Sequence, residues 1–247
     1  MVENRKPTEL PTKLAFDLEG TLVDLELLHQ QAFEHVAATL GVQFGKEEFH
    51  KFVGAGDDAI SAEISRLLEH KFDGPSIKGL KASIYHEMLH SQPIKPREGV
   101  NEYLDRAMAV SNELLVASLT PPANAAYILG SAGLSRFFYY VLSNDQVRFK
   151  KPRPDVYLMA ARTFDVPNSR MLVHEDSPPG VEAAKAAGSP VVVFPAHKNL
   201  RFSQKPDLIF SLGWKGLDPM DVLNRYMGKM QAVNLNISRQ QALKPYG

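Results

Sequence analysis

The stretch Leu14-Ala15-Phe16-Asp17-Leu18-Glu19-Gly20-Thr21-Leu22-Val23-Asp24 is a short apolar run that stops at two carboxylates one residue apart. A strand alternates its side chains between faces, so Asp17 and Glu19 point the same way, and Gly20 lets the chain turn sharply just beyond them. Carboxylates at the end of a buried strand are costly to desolvate unless a cation or strong donors meet them. The pair therefore reads as a reactive site.

Working outward, further short apolar runs rich in β-branched residues recur at 114–117, 139–142, 171–173, 191–194 and 208–210, after the first at 14–16. Helix-length segments lie between most of them, at 100–109, 123–132, 155–164 and 181–187. This alternation predicts an α/β fold with a doubly wound parallel sheet. Residues 25–96 break the pattern. They contain no convincing strand, and apolar residues recur there at helical spacing, as in Phe33, Val36, Ala37 and Leu40, then Ile60, Ile64, Leu67 and Leu68. That segment is expected to be a helical cap bounded by Pro93 and Pro96, able to cover the site. The expected core is thus residues 1–24 with 97–228, and the polar residues 229–247 read as a tail.

Composition narrows the partners. The chain has 247 residues, 44% of them hydrophobic, enough for one sizeable core and a smaller insert. Lys+Arg and Asp+Glu both number 28, with no long single-sign block, so nothing favours nucleic acid. There are no cysteines, which removes thiolate catalysis and zinc-thiolate sites. No apolar stretch approaches the roughly 18 residues of a membrane span, and the N-terminus lacks a signal-like apolar region. A small molecule is the expected partner, and the cytoplasm the expected location.

In open α/β sheets ligands bind at the carboxyl ends of the strands. Those ends here carry Asp17 and Glu19, then Ser118 and Thr120, then Glu175 and Asp176. In Lys150-Lys151-Pro152-Arg153-Pro154-Asp155 the two prolines stiffen the lead-in to a helix and hold a lysine before it. Acidic groups on two strand ends suit a hard divalent cation such as Mg²⁺, and a lysine with a hydroxyl would neutralise a phosphoryl group. His174, beside the acidic pair, is expected to point to the opposite face.

These four motifs, in this order, resemble the haloacid dehalogenase-like hydrolase superfamily, in the branch with a helical cap after the first motif that includes β-phosphoglucomutase-like enzymes and many small phosphatases. The resemblance spans about residues 14–227. It implies a Rossmann-like core and a Mg²⁺-dependent phosphatase acting on a small phosphate monoester, by default a sugar phosphate. Asp17 would be the nucleophile that forms an aspartyl-phosphate, Glu19 the acid/base, and Ser118 and Lys151 the groups on the phosphoryl oxygens. Asp17, Asp176 and the backbone carbonyl of Glu19 would hold Mg²⁺, with Glu175 direct or just behind. Gly20, Thr21, Thr120 and His29 would contact substrate, amides after Asp17 would cradle phosphoryl oxygens, and His29 would relay protons. The protein would work as a monomer or weak homodimer.

Two departures stand out against the resemblance. Glu19 replaces the usual aspartate, so its carboxyl reaches about 1.5 Å further. On the cap, Asp57 and Glu87 fall where basic groups would bind a distal phosphate, which favours hydrolysis over phosphomutase action. A mutase would need another basic cap group, such as Arg66, Lys78 or Lys81. A catalytically impaired relative that only binds phosphoryl ligands is the third reading.

Overall fold

A computed structural model describes residues 10–52, 56–197 and 200–242, with side chains as far as 232. Six parallel strands, β1 (Lys13–Phe16), β2 (Leu114–Ala117), β3 (Phe138–Leu142), β4 (Met171–Glu175), β5 (Val191–Val193) and β6 (Leu208–Ile209), lie in the order β3-β2-β1-β4-β5-β6. The order reverses beside β1, which leaves a crevice at the carboxyl ends of β1, β2 and β4.

Strand register assigns alternate residues to the two faces. Leu14 pairs with Leu114 and Leu172 across the ladder. Together with Phe16, Val116 and Val192 they pack under α5 (Val100–Val110), α6 (Pro122–Ser131) and α9 (Pro219–Ala242). Ala15, Leu115, Ala117, Val173 and Val193 face α7 (Asp155–Thr163) and α8 (Pro178–Ala187). Both faces are covered, which explains why the strands read as continuous apolar runs.

Residues between β1 and α5 form α1 (Glu26–Leu40), α2 (Lys46–His50), α3 (Asp57–Leu67) and α4 (Gly74–His90), with no strand among the described residues. They bury a cluster of their own around Phe33, Val36, Phe49, Ile60, Ile64 and Ile77. The two connections to the sheet meet where Val23 bridges Pro96 and the Arg97 amide donates to the Leu22 carbonyl at 2.8 Å. Leu67, expected in the apolar stripe, is exposed. Gly54 lies outside the described residues, whereas Gly56 precedes α3 at φ +81°.

The expected tail is corrected in part. Residue 228 is no boundary, because α9 runs unbroken from Pro219 to Ala242. Val222 and Leu223 are buried against the sheet, and half-buried Tyr226, Met227 and Met230 continue that face at helical spacing, a signal the intervening polar residues obscured. Residues 243–247 of the expected tail lie outside the described residues. No described helix is long and apolar enough to cross a membrane.

Candidate active site

Asp17 is the first residue beyond β1, fixed by its amide on the His174 carbonyl at 2.9 Å. Leu18 turns into the core and Glu19 returns to the crevice. Ser118 follows β2 in the same way, its amide on the Leu142 carbonyl at 3.0 Å. Glu175 ends β4, and Asp176 follows. A cavity of about 940 Å³ opens over these strand ends and is roofed by the helical insert. Of the sequence-predicted residues it exposes Asp17, Glu19, His29, Ser118, Thr120, Lys151 and Asp176.

Lys151 is the cation at the floor. Its Nζ donates to Asp17 Oδ1 at 2.5 Å, Glu175 Oε1 at 2.7 Å and the Ala117 carbonyl at 3.2 Å. Burial alone would lower its pKa, but Asp17 and Glu175 outweigh that and raise it. Glu175 is fully buried and saturated. Oε1 accepts from Lys151 and from Tyr157 Oη at 2.6 Å, and Oε2 accepts from the Asp176 and Ser177 amides and from Ser177 Oγ. Burial would raise its pKa, but Lys151 and these donors lower it. A side chain at position 180 would erase this arrangement, since a Cβ there would sit 1.8 Å from Glu175 Oε1.

Carboxylate oxygens of Asp17, Glu175 and Asp176 lie within 4.8 Å of one another. One lysine cannot neutralise three such groups. Burial, with Glu175 adding to it, raises Asp17 to about 7 against the pull of Lys151. Asp176 is likewise raised, by burial and then by Glu175 and Asp17. Among the described residues only one oxygen of Asp17 and one of Asp176 accepts a hydrogen bond. The surplus negative charge and the oxygen donor set fit a hard divalent cation.

Glu19 is turned toward the insert. Its Oε1 accepts from Thr120 Oγ1 at 2.6 Å, and its Oε2 meets His29 Nε2 at 2.8 Å and Tyr85 Oη at 2.8 Å. Burial would raise its pKa, but the hydrogen bond from His29, then those from Thr120 and Tyr85, bring it to about 2. Behind His29, Lys81 Nζ lies 2.6 Å from His29 Nδ1 and 2.8 Å from Asp57 Oδ2. A lysine only donates, so His29 accepts at Nδ1 and donates from Nε2 to Glu19. Thr120 is therefore part of the site rather than a helix cap, since Pro121 occupies the capping position of α6.

Three expectations need correction. Thr21 is fully buried, and its hydroxyl donates to Asp176 Oδ1 at 3.1 Å, so it steadies a carboxylate instead of touching substrate. The Gly20 amide is spent on the Val23 carbonyl at 2.7 Å and lends nothing to a phosphoryl cradle. What position 20 requires is the absence of a side chain: at φ +83°, a Cβ would lie 2.2 Å from Asp176 Oδ2. The acidic replacement on the cap is also misread, because Asp57 is paired with buried Lys81 and presents no free charge. Arg66 is spent on Glu63, whereas Lys78, which pairs with Asp58, lines the cavity with Glu87.

His174 does face away, as expected. Its ring stacks on Phe16 at 4.2 Å, Nδ1–H donates to the Ala15 carbonyl, and Nε2 accepts from Tyr103 Oη. Sequence reasoning missed Tyr85, Tyr157 and Arg97. The Arg97 guanidinium donates to the carbonyls of Gly20, Phe194 and Pro195, tying the turn after β1 to the end of β5. One signal was available on α4, where Ile77, Lys81, Tyr85 and Leu89 recur every four residues as its buried face. A lysine inside an apolar stripe announces a buried partner.

The fold and these strand-end groups define a parallel α/β protein with a carboxylate-and-lysine site beneath a helical insert. A sequence model described as haloacid dehalogenase-like hydrolase matches residues 14–194, and the chain belongs to that family, in its β-phosphoglucomutase-like branch. It is 31% identical to Protein CbbY of Rhodobacter capsulatus over 74% of this chain and 85% of that one. It is 30% identical to a phosphorylated carbohydrates phosphatase of Thermotoga maritima over 70% of this chain and 80% of that one. The solved structure of CbbY from Rhodobacter sphaeroides with phosphate superposes with a TM-score of 0.71 at 27% identity, covering 87% of this chain and 100% of that one. A mutant of the same protein was solved with xylulose-1,5-bisphosphate, and superposes at 0.69 and 27% identity over 86% of this chain and 98% of that one.

Proposed function

We propose that the protein is a Mg²⁺-dependent phosphatase that hydrolyses a small phosphorylated sugar through an aspartyl-phosphate on Asp17. The observation that carries this reading is the junction of Asp17 with Lys151 at 2.5 Å and with Glu175 and Asp176 within 4.8 Å, on the floor of the cavity. The name of the Thermotoga maritima relative and the sugar bisphosphate held by the CbbY mutant support the substrate class.

In this reading a carboxylate oxygen of Asp17 attacks phosphorus, and Glu19 passes to the departing sugar oxygen a proton handed along the Lys81–His29 hydrogen-bond chain. Glu19 then takes a proton from the water that cleaves the aspartyl-phosphate and returns it along the same chain, releasing phosphate and restoring both carboxylates. Lys151 and Ser118 bind the phosphoryl oxygens. Asp17, Asp176 and the Glu19 carbonyl would hold Mg²⁺, with Glu175 behind them, since its two oxygens already have five donors. Bound there, Mg²⁺ supplies positive charge that offsets the clustered carboxylates and the phosphoryl oxygens.

Hydrolysis is favoured over phosphoryl mutase action because Lys78 is paired with Asp58 and buried Lys81 is committed to Asp57 and His29. Neither has much left for a second phosphate. The test is phosphate release from a panel of sugar phosphates and p-nitrophenyl phosphate, with and without EDTA, for wild type and Asp17→Asn. Release that needs Mg²⁺ and disappears in Asp17→Asn is expected. Release that survives Asp17→Asn would overturn the reading.

A further inference from the structure

We infer that Tyr85 is a positioning residue for Glu19, holding the longer side chain that replaces the usual aspartate and doing so from the helical insert. The inference rests on the phosphatase reading above. Glutamate has one more torsion than aspartate, and a reacting group displaced by about 1 Å can cost on the order of 100-fold in rate. A glutamate at this position therefore needs extra restraint.

The restraint is visible. Glu19 accepts three hydrogen bonds from three elements: Thr120 beyond β2, His29 on α1 and Tyr85 on α4. A carboxylate only accepts, so Tyr85 Oη is the donor. The phenol is itself fixed, with its ring buried, stacked on His29 at 4.2 Å and 16°, and the Lys81 ammonium 4.8 Å from its centre. Both contacts to Glu Oε2 thus come from the insert, and only Thr120 from the sheet.

A positioning role has a signature that a packing role lacks. A sugar leaving group needs a proton as it departs, whereas p-nitrophenolate leaves without one, and kcat/KM reports the steps up to that departure. Tyr85→Phe is expected to lower kcat/KM for the best sugar phosphate of the panel about tenfold and to change it less than about twofold for p-nitrophenyl phosphate. The phenylalanine keeps the ring and its stacking, and a retained kcat/KM for p-nitrophenyl phosphate reports a folded variant. In a Glu19→Asp background the shorter carboxylate is out of reach of Tyr85, so the same change is expected to cost nothing further.

Equal losses on both esters, or the same added loss in the Glu19→Asp background, would overturn the inference and leave the phosphatase reading standing. No Mg²⁺-dependent release by wild type from either ester would overturn both.

Discussion

Tyr157→Phe removes one oxygen and nothing else, and the consequence can be worked from the contacts. The hydroxyl donates to Glu175 Oε1 at 2.6 Å, and both residues are fully buried. The carboxylate oxygen is not orphaned by the change, because Lys151 still donates to it at 2.7 Å. The loss should therefore approach the net worth of one hydrogen bond to a charged group, about 2 kcal/mol, without the added penalty of an unsatisfied buried acceptor. Lys151 also keeps its place 5.0 Å from the ring centre. With a urea slope of about 2 kcal/mol per M, the unfolding midpoint should fall by about 1 M. The single tryptophan, Trp214, is buried against Phe194 at 3.5 Å and provides the fluorescence signal. A midpoint unchanged within about 0.2 M would show that the Tyr157–Glu175 bond is not formed. A drop above about 2 M would mean that Lys151 does not in fact hold the same oxygen.

Stability should also fall with acid through His174. Burial lowers its pKa from 6.5 to about 3, so below about 6.5 the unfolded chain binds a proton that the folded one refuses. Stability is full above that point and declines toward about pH 3, by about 1.4 kcal/mol per pH unit. Denaturant titrations at pH 7 and pH 5 should differ by about 2 kcal/mol more for wild type than for His174→Gln. Equal differences would refute the assignment. Gly20→Ala should displace Asp176, because the new Cβ lands 2.2 Å from Oδ2, and so raise the Mg²⁺ concentration for half-maximal phosphate release by about tenfold. An unchanged Mg²⁺ requirement would remove Asp176 from the proposed ligands.

Much of this molecule could be read from its residues, for identifiable reasons. Strands buried on both faces must be apolar throughout, so β1, β2 and β4 declared themselves as runs, and their ends carried Asp17, Ser118 and Asp176 to one edge. The strand β4 extends two residues beyond its apolar run because His174 and Glu175 have their polar atoms met by buried partners, which no local pattern reveals. The α9 helix did carry a signal, with Val222, Leu223, Tyr226, Met227 and Met230 at helical spacing, but it was passed over among the polar residues between them. Contacts that join distant segments were equally silent. Tyr85 reaches Glu19 across 66 positions, and Lys81 reaches His29 across 52. Asp57 misled because charge was read without its partner. Thr21 and Gly20 were assigned to substrate because they adjoin Asp17, whereas the turn aims them at Asp176.

The central claim is that Asp17 itself accepts the phosphoryl group. Rapid acid quenching of the Mg²⁺-loaded enzyme during turnover of a sugar phosphate, followed by mass spectrometry of its peptides, tests that claim most directly. One phosphoryl group on the peptide containing Asp17, absent in Asp17→Asn, is the predicted result. Turnover with no phosphoryl group on that peptide, or with one on another residue, would contradict the account.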